Sequence, residues 1–215
     1  MPTTRSYGDA CGIARALDVV GERWALLVIR ELLLGPQRFS DLRLALPNAS
    51  SNLVADRLRE LEGRGVIGRR KLPPPAGSSV YELTPWGREL EPIVLALGDW
   101  GVRVPFPSTP TTLSATSVLL FLRGSARPDP KAPPTVCRLD LHNRVWTVRS
   151  EDGHVQVLAG EPDEPDASLR TDPETLNALL EDPSKLDEAV SDGTAAIAGD
   201  ASTLRQLLDA VATPA

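Results

Sequence analysis

Ser50-Ser51-Asn52-Leu53-Val54-Ala55-Asp56-Arg57-Leu58-Arg59-Glu60-Leu61-Glu62-Gly63-Arg64-Gly65-Val66-Ile67-Gly68-Arg69-Arg70-Lys71 is the stretch on which the fold of this 215-residue chain turns. Ser50 suits a helix N-cap, because its hydroxyl can accept from the backbone N–H of Asn52 or Leu53. Leu53, Val54, Leu58 and Leu61 recur at helical spacing and predict an inward stripe. The opposite face carries Ser51, Asn52, Ala55, Asp56 and Arg59. Gly65 stops the helix, and Val66 to Lys71 then reads as a short basic strand. A Pro-Gly-Ser loop leads into Val80-Tyr81-Glu82-Leu83, which completes a β-hairpin.

Upstream, Pro47-Asn48-Ala49 is a turn between this helix and a shorter one, Ser40 to Leu46. Ser40 is its expected cap, and Leu42, Leu44 and Leu46 are its expected buried face. Gly35-Pro36 ends an earlier helix holding Trp24, Leu27, Val28, Glu31 and Leu32. Ile13, Leu17 and Val20 mark a first helix over Cys11 to Val20. Downstream, Thr84-Pro85 supplies an N-cap and an N1 proline. Leu90, Ile93, Val94, Leu97 and Trp100 form the apolar side of that last helix, which Pro92 should bend or interrupt. Helix, turn, helix and basic hairpin in this order predict a mainly-α winged helix-turn-helix, an architecture that usually reads DNA.

The charge distribution agrees. The chain carries a net charge of −6, but unevenly. Residues 1–103 hold 14 Lys and Arg against 12 Asp and Glu, whereas residues 104–215 hold 9 against 17. Within residues 35–75 the balance is 8 basic to 4 acidic. The positive half is the one with the candidate reading elements. No run of about 18 apolar residues is present, so no membrane partner is expected, and the first residues lack an apolar signal segment. Two cysteines, Cys11 and Cys137, make no disulfide framework, and a reducing cytoplasmic setting is the expectation.

Val104 to Pro110 is proline-rich and reads as a linker. The expected organisation is therefore a winged-helix domain over 1–103, a linker over 104–112 and a second domain over 113–215. That second domain should open with a helix from Leu113 to Arg123, followed by a proline-rich loop from Gly124 to Thr135. Strands are expected over 136–141, 144–150, 154–159 and 167–171, with Asp152-Gly153 as a hairpin turn. Asp172-Pro173 caps a helix ending near Asp182. A short helix over 184–191, a strand over 194–198 and a helix capped by Asp200 complete an α+β domain, a mostly antiparallel sheet with helices on one side.

Among the polar residues, Asn52 can pair adenine bidentately, and Arg59 can reach phosphate or a guanine. Ser50 and Ser51 suit phosphate or base edges, and Arg38 and Ser40 stand at the start of the preceding helix. Asp56 can accept from cytosine N4 or orient Arg59 through an i,i+3 pair. Arg57 reads as structural or phosphate-bound. Arg69, Arg70 and Lys71 alternate around the wing strand, so they cannot all face the duplex. The plainer alternatives are a solvated helix face and a charged strand edge that discourages aggregation. His142 and His154 lack partners at ligand spacing, so neither a metal site nor a cofactor is expected. No Ser/His/Asp set or phosphate loop stands out, and an enzyme is not expected.

Residues 11–101 resemble the HxlR family of bacterial winged-helix regulators. The likeness is carried by Cys11, Ala16-Leu17-Asp18-Val19-Val20-Gly21-Glu22-Arg23-Trp24, Arg30-Glu31-Leu32 and Gly35-Pro36-Gln37-Arg38-Phe39-Ser40-Asp41-Leu42. It continues through Arg57-Leu58-Arg59-Glu60-Leu61-Glu62 and Tyr81-Glu82-Leu83-Thr84-Pro85-Trp86-Gly87-Arg88. The resemblance implies double-stranded DNA as partner and a homodimer built from the outer helices. It also places Cys11 where some members carry an oxidant or electrophile sensor; a small apolar residue near the dimer interface is the alternative. Asp56 departs from a face expected to meet DNA.

Residues 113–212 are similar to the sterol carrier protein fold. The carriers are Val145-Trp146-Thr147-Val148, Asp166 to Leu176 and Gly193 to Asp200. This implies a small hydrophobic ligand as a candidate partner, with Leu119, Leu122, Trp146, Val148, Val157, Leu176, Leu179 and Leu180 as pocket candidates or simply as core. The function expected is a dimeric, sequence-specific transcriptional regulator with a hydrophobic-effector module. The alternative is a hydrophobic-ligand carrier or interaction protein that uses its winged helix for dimerisation.

Overall fold

The computed structural model describes residues 6–72, 77–105, 112–142 and 144–211. The chain divides into two compact units between residues 108 and 109. The linker expected over 104–112 falls largely outside the described residues.

The first unit runs α1 (Gly12–Val20), α2 (Ala25–Leu32), β1 (Gln37–Arg38), α3 (Phe39–Ala45), α4 (Ser51–Gly63), β2 (Ile67–Lys71), β3 (Ser79–Leu83), α5 (Pro85–Arg88) and α6 (Glu91–Gly101). It is a winged helix-turn-helix. The Ser50 hydroxyl accepts from the Leu53 N–H at 3.2 Å, and so fixes where α4 starts. Val54, Leu58 and Leu61 are buried with Val28, Ile29 and Leu32 of α2 and Leu42 of α3. Each fully buried leucine contributes roughly 1.5–3 kcal/mol, so this cluster holds the helices to one another.

Two expectations for α3 are corrected. Ser40 lies inside the helix, and Arg38 is the N-cap. The Asp41 carboxylate accepts the Arg38 N–H at 3.0 Å, and Ser40 donates to the same carboxylate at 3.2 Å. An acid in the first turn has taken over the capping role. Leu44 is 79% exposed, while Leu42 and Leu46 are buried. Residues four apart share a helix face, and the one midway between them points the other way. Gln37–Arg38 was not expected as a strand. It joins the hairpin to make a three-stranded sheet in the order β1-β3-β2. The Arg43 guanidinium donates to the Ala49 carbonyl and braces the turn between α3 and α4.

The proline break falls between α5 and α6. Thr84 caps α5 by accepting from the Gly87 N–H at 3.0 Å, and its hydroxyl donates to the Gly65 carbonyl at 2.7 Å. Pro92 sits in the first turn of α6, where its missing N–H costs nothing. No residue of α6 is buried within the single chain. Ile93, Leu97 and Trp100 are exposed, as are Ile13 and Leu17 of α1, so only Val20 of the expected α1 stripe is buried.

The second unit runs α7 (Ala115–Ser125), β4 (Thr135–Leu141), β5 (Arg144–Glu151), β6 (His154–Ala159), β7 (Ala167–Thr171), α8 (Pro173–Glu181), a 3₁₀ turn (Pro183–Lys185), α9 (Leu186–Ser191), β8 (Ala196–Gly199) and α10 (Ala201–Asp209). The sheet order is β6-β5-β4-β7-β8; β4 and β7 are parallel and the other pairs antiparallel. The register puts Cys137, Leu139, Trp146, Val148, Val157 and Leu169 on one buried face. There α7 packs along β6, and α10 along β7 and β4. This is the expected α+β arrangement. The opening helix is capped by Ser114 rather than starting at Leu113, because the Ser114 hydroxyl accepts the Ser117 N–H at 3.0 Å.

Gly87 should be the least replaceable glycine of the winged helix. A Cβ there would lie 2.0 Å from the Val66 carbonyl oxygen, whereas one at Gly124 in α7 meets nothing within 4 Å. Gly87→Ala should lower unfolding stability by about 1–3 kcal/mol. Gly124→Ala should raise it by roughly 0.5–1 kcal/mol. Urea denaturation of the full chain measures both.

Candidate nucleic-acid interface

Because Val54, Leu58 and Leu61 point inward, the helical period turns Ser51, Asn52 and Arg59 outward. All three are exposed, and Ala55 and Asp56 beside them are half-buried. Ser50, Arg38 and Ser40 are also exposed. Asp56 takes the i,i+3 partner weighed in the sequence, forming an ion pair with the Arg59 guanidinium. Arg57 belongs to the scaffold. Its side chain is 11% exposed, and it pairs with Glu60 at 2.6 Å and Glu22 at 3.5 Å.

The wing is a strand pair with Arg69 opposite Tyr81, Arg70 opposite Val80 and Lys71 opposite Ser79. The Arg69 guanidinium lies 5.8 Å over the Tyr81 ring. Arg70 faces the other way. Its Nε donates to Glu82 Oε1 at 3.1 Å and its Nη2 to Oε2 at 3.2 Å. These bonds to the Glu82 carboxylate raise the Arg70 pKa further. In the sequence Glu82 is marked by its place in the strand and in the HxlR-like motif, with no sign of an arginine partner. Its pairing depends on hairpin register, which composition does not reveal.

Cys11 is exposed and caps α1, its Sγ accepting the Ala14 N–H at 3.3 Å. Its own N–H donates to Asp9 Oδ1 at 2.9 Å. Cys137 is buried in β4, and burial, together with the nearby Asp166 carboxylate, pushes its thiol up to about 12.

In the second unit Leu119, Leu122, Trp146, Val148, Val157, Leu176, Leu179 and Leu180 are all buried, contributed by α7, β5, β6 and α8. The Arg144 guanidinium lies 4.8 Å over the Trp146 ring. Among the described residues no group of three or more His, Cys, Asp or Glu is placed to hold a metal ion, and no helix is long and apolar enough to cross a membrane.

Residues 19–106 match the family model described as HxlR-like helix-turn-helix, and residues 125–211 match the SCP-2 sterol transfer family. The chain is 38% identical over 94 residues to the uncharacterized HTH-type transcriptional regulator YvaP of Bacillus subtilis (strain 168), covering 44% of this chain and 87% of that protein. It is 35% identical over 96 residues to YdeP of the same organism, covering 43% and 73%. A solved structure of the redox regulator HypR in its oxidized form is 32% identical and covers 45% of this chain and 100% of that one, with a TM-score of 0.43.

The two cysteines should behave oppositely. Iodoacetamide at neutral pH should label Cys11 and leave Cys137 intact, as read by peptide mass. The Cys137 thiol titrates at 9.0 ordinarily and near 12 when folded. As pH rises between those values the unfolded chain gives up this proton and the folded chain keeps it. Unfolding therefore becomes easier over that window, and stability is unaffected below it. Wild type should lose stability relative to Cys137→Ala between pH 9 and 12.

Proposed function

The chain belongs to the HxlR-like helix-turn-helix family of transcriptional regulators, and on that footing we propose that it works as a homodimeric, sequence-specific DNA-binding regulator whose second unit takes a small hydrophobic effector. The observation that carries this reading is the outward face of α4, where Ser51, Asn52 and Arg59 stand exposed on a helix whose other side is locked in the core.

In this reading α4 enters the major groove. Asn52 pairs an adenine edge, and Ser51 and Ala55 line the approach. Ser50, Arg38 and Ser40 sit where the helix-turn-helix meets the sugar-phosphate backbone. Of Arg69, Arg70 and Lys71 on the wing, one or two take phosphate or the minor groove. The domain plan is a reading and dimerisation domain over 1–103, a linker over 104–112 and an effector domain over 113–215. Dimerisation is supported by the exposed apolar side chains Ile13, Leu17, Ile93, Leu97 and Trp100 on α1 and α6. A two-fold partner covers such surfaces and sets two reading helices about one turn of DNA apart.

The effector proposal rests on the sterol-transfer family match over residues 125–211. The buried set from Leu119 to Leu180 is the candidate wall. An effector there alters DNA affinity only to the extent that it binds the two states of the dimer unequally. Cys11, exposed at a helix N-cap, is the candidate redox sensor.

Selection of binding sites from a random duplex library tests the central reading. The expected winner is a two-fold symmetric site with half-sites about one helical turn apart. On that site Asn52→Ala should cost about 1–3 kcal/mol and relax preference at one position. Arg70→Ala should weaken binding to that site without changing base preference and reduce its salt slope by about one. Failure to enrich any sequence, or a monomer by light scattering at micromolar concentration, would contradict it.

A further inference from the structure

Two arginines on the surface assigned to DNA are already engaged. Arg59 on α4 is held by Asp56 one turn earlier, and Arg70 on the wing is held by Glu82 across the hairpin. The second pair is a fork, with two guanidinium nitrogens on two carboxylate oxygens, a geometry that fixes direction as well as charge. It is diagonal because the residue directly opposite Glu82 is Gly68, which offers no side chain.

We propose that Asp56 and Glu82 guard the reading surface: each holds a DNA-facing arginine in an intramolecular ion pair that must open before that arginine reaches phosphate, and together they keep binding to DNA of arbitrary sequence weak. The inference rests on the regulator reading above. Arg59 and Arg70 side chains are 74% and 49% exposed, and exposed pairs of this kind add little to folding. The contrast is Arg57, whose own side chain is only 11% exposed while it pairs with Glu60 and Glu22, so that it braces the scaffold. Non-specific binding draws almost entirely on phosphate neutralisation. An arginine that exchanges a carboxylate for a phosphate gains less than an unpaired one, and the carboxylate it leaves faces the polyanion. A correct site offsets this loss with base contacts; an incorrect one has nothing to offset it with. Asp56 and Glu82 are thus positioning residues that act through Arg59 and Arg70 and set the gap between right and wrong sequences.

The test uses the full chain and a random-sequence duplex of about three helical turns (~30 base pairs), followed by fluorescence anisotropy across a salt series. Asp56→Asn and Glu82→Gln preserve shape and remove charge. Each should tighten non-specific binding about two- to five-fold, the range an exposed ion pair can supply. Each should also steepen the salt slope by up to about 0.9, the share of one added phosphate contact. The deciding measurement is a double-mutant cycle. Glu82→Gln should tighten binding distinctly less in an Arg70→Ala background than in wild type, and Asp56→Asn distinctly less in an Arg59→Ala background. Equal tightening with and without the arginine would mean a general charge effect and would overturn the proposal, as would unchanged affinity in both single variants. If wild type binds no duplex even at low salt, the regulator reading falls and this inference with it. Ordinary wild-type binding with inert carboxylates overturns this inference alone.

Discussion

Everything in the first unit depends on the apolar lock between α4 and the helices beneath it. Val54, Leu58 and Leu61 sit against a floor that includes Val28, Ile29, Leu32 and Leu42, all essentially without solvent contact. That contact fixes the rotation of α4 about its own axis. A turn of about 100° per residue, the helical period, would bury Asn52 or Arg59 and expose leucine. The wing hangs from the same lock. Val66 follows the end of α4, its carbonyl nearly touches Gly87, and the Thr84 hydroxyl ties the turn through Gly65. The end of α4 and the base of the hairpin are therefore tied together, and on the proposed function this sets the helix and the wing in a fixed relation to a duplex.

Where the determinants are local, the sequence shows them. Ser50 is legible as a cap because a single hydroxyl at the right step satisfies the helix end, and it does so. The Pro92 break, the Asp152-Gly153 turn with both residues at positive φ and the alternating strands of the second unit are legible for the same reason. What escapes is what depends on competition or register. Ser40 and Asp41 both lie near the helix start, and Asp41 caps because it stands at the third helical position, from which a carboxylate reaches back to the Arg38 N–H. The two-residue strand Gln37–Arg38 is too short to leave a pattern. The Arg70–Glu82 fork exists only once β2 and β3 are aligned. Of the candidate site, the α4 face and the Asp56–Arg59 pair are readable from helical period, but the pairing of Arg70 on the wing is not.

The apolar residues show the same division. In the second unit, alternation identifies Trp146, Val148 and Val157 as facing inward, and they do. Pattern alone does not say whether an inward residue lines a slot or fills a core, because both bury the same groups. In the first unit, Ile13, Leu17, Ile93 and Leu97 fit a helical stripe as well as any core residue, yet the single chain leaves them exposed. Periodicity records that a face is apolar and not whether the chain itself or a second copy covers it. The proposed dimer would resolve that excess, since one two-fold axis would cover the apolar faces and pair the α4 helices.

The most direct measurement is hydrogen–deuterium exchange of the full chain with and without a selected duplex. The account predicts slowed exchange over the start of α4, around Ser51 to Arg59, and along the wing from Ile67 to Leu83, with the sheet of the second unit unchanged. Protection confined to residues 135–171, with α4 and the wing exchanging as in the free protein, would contradict it.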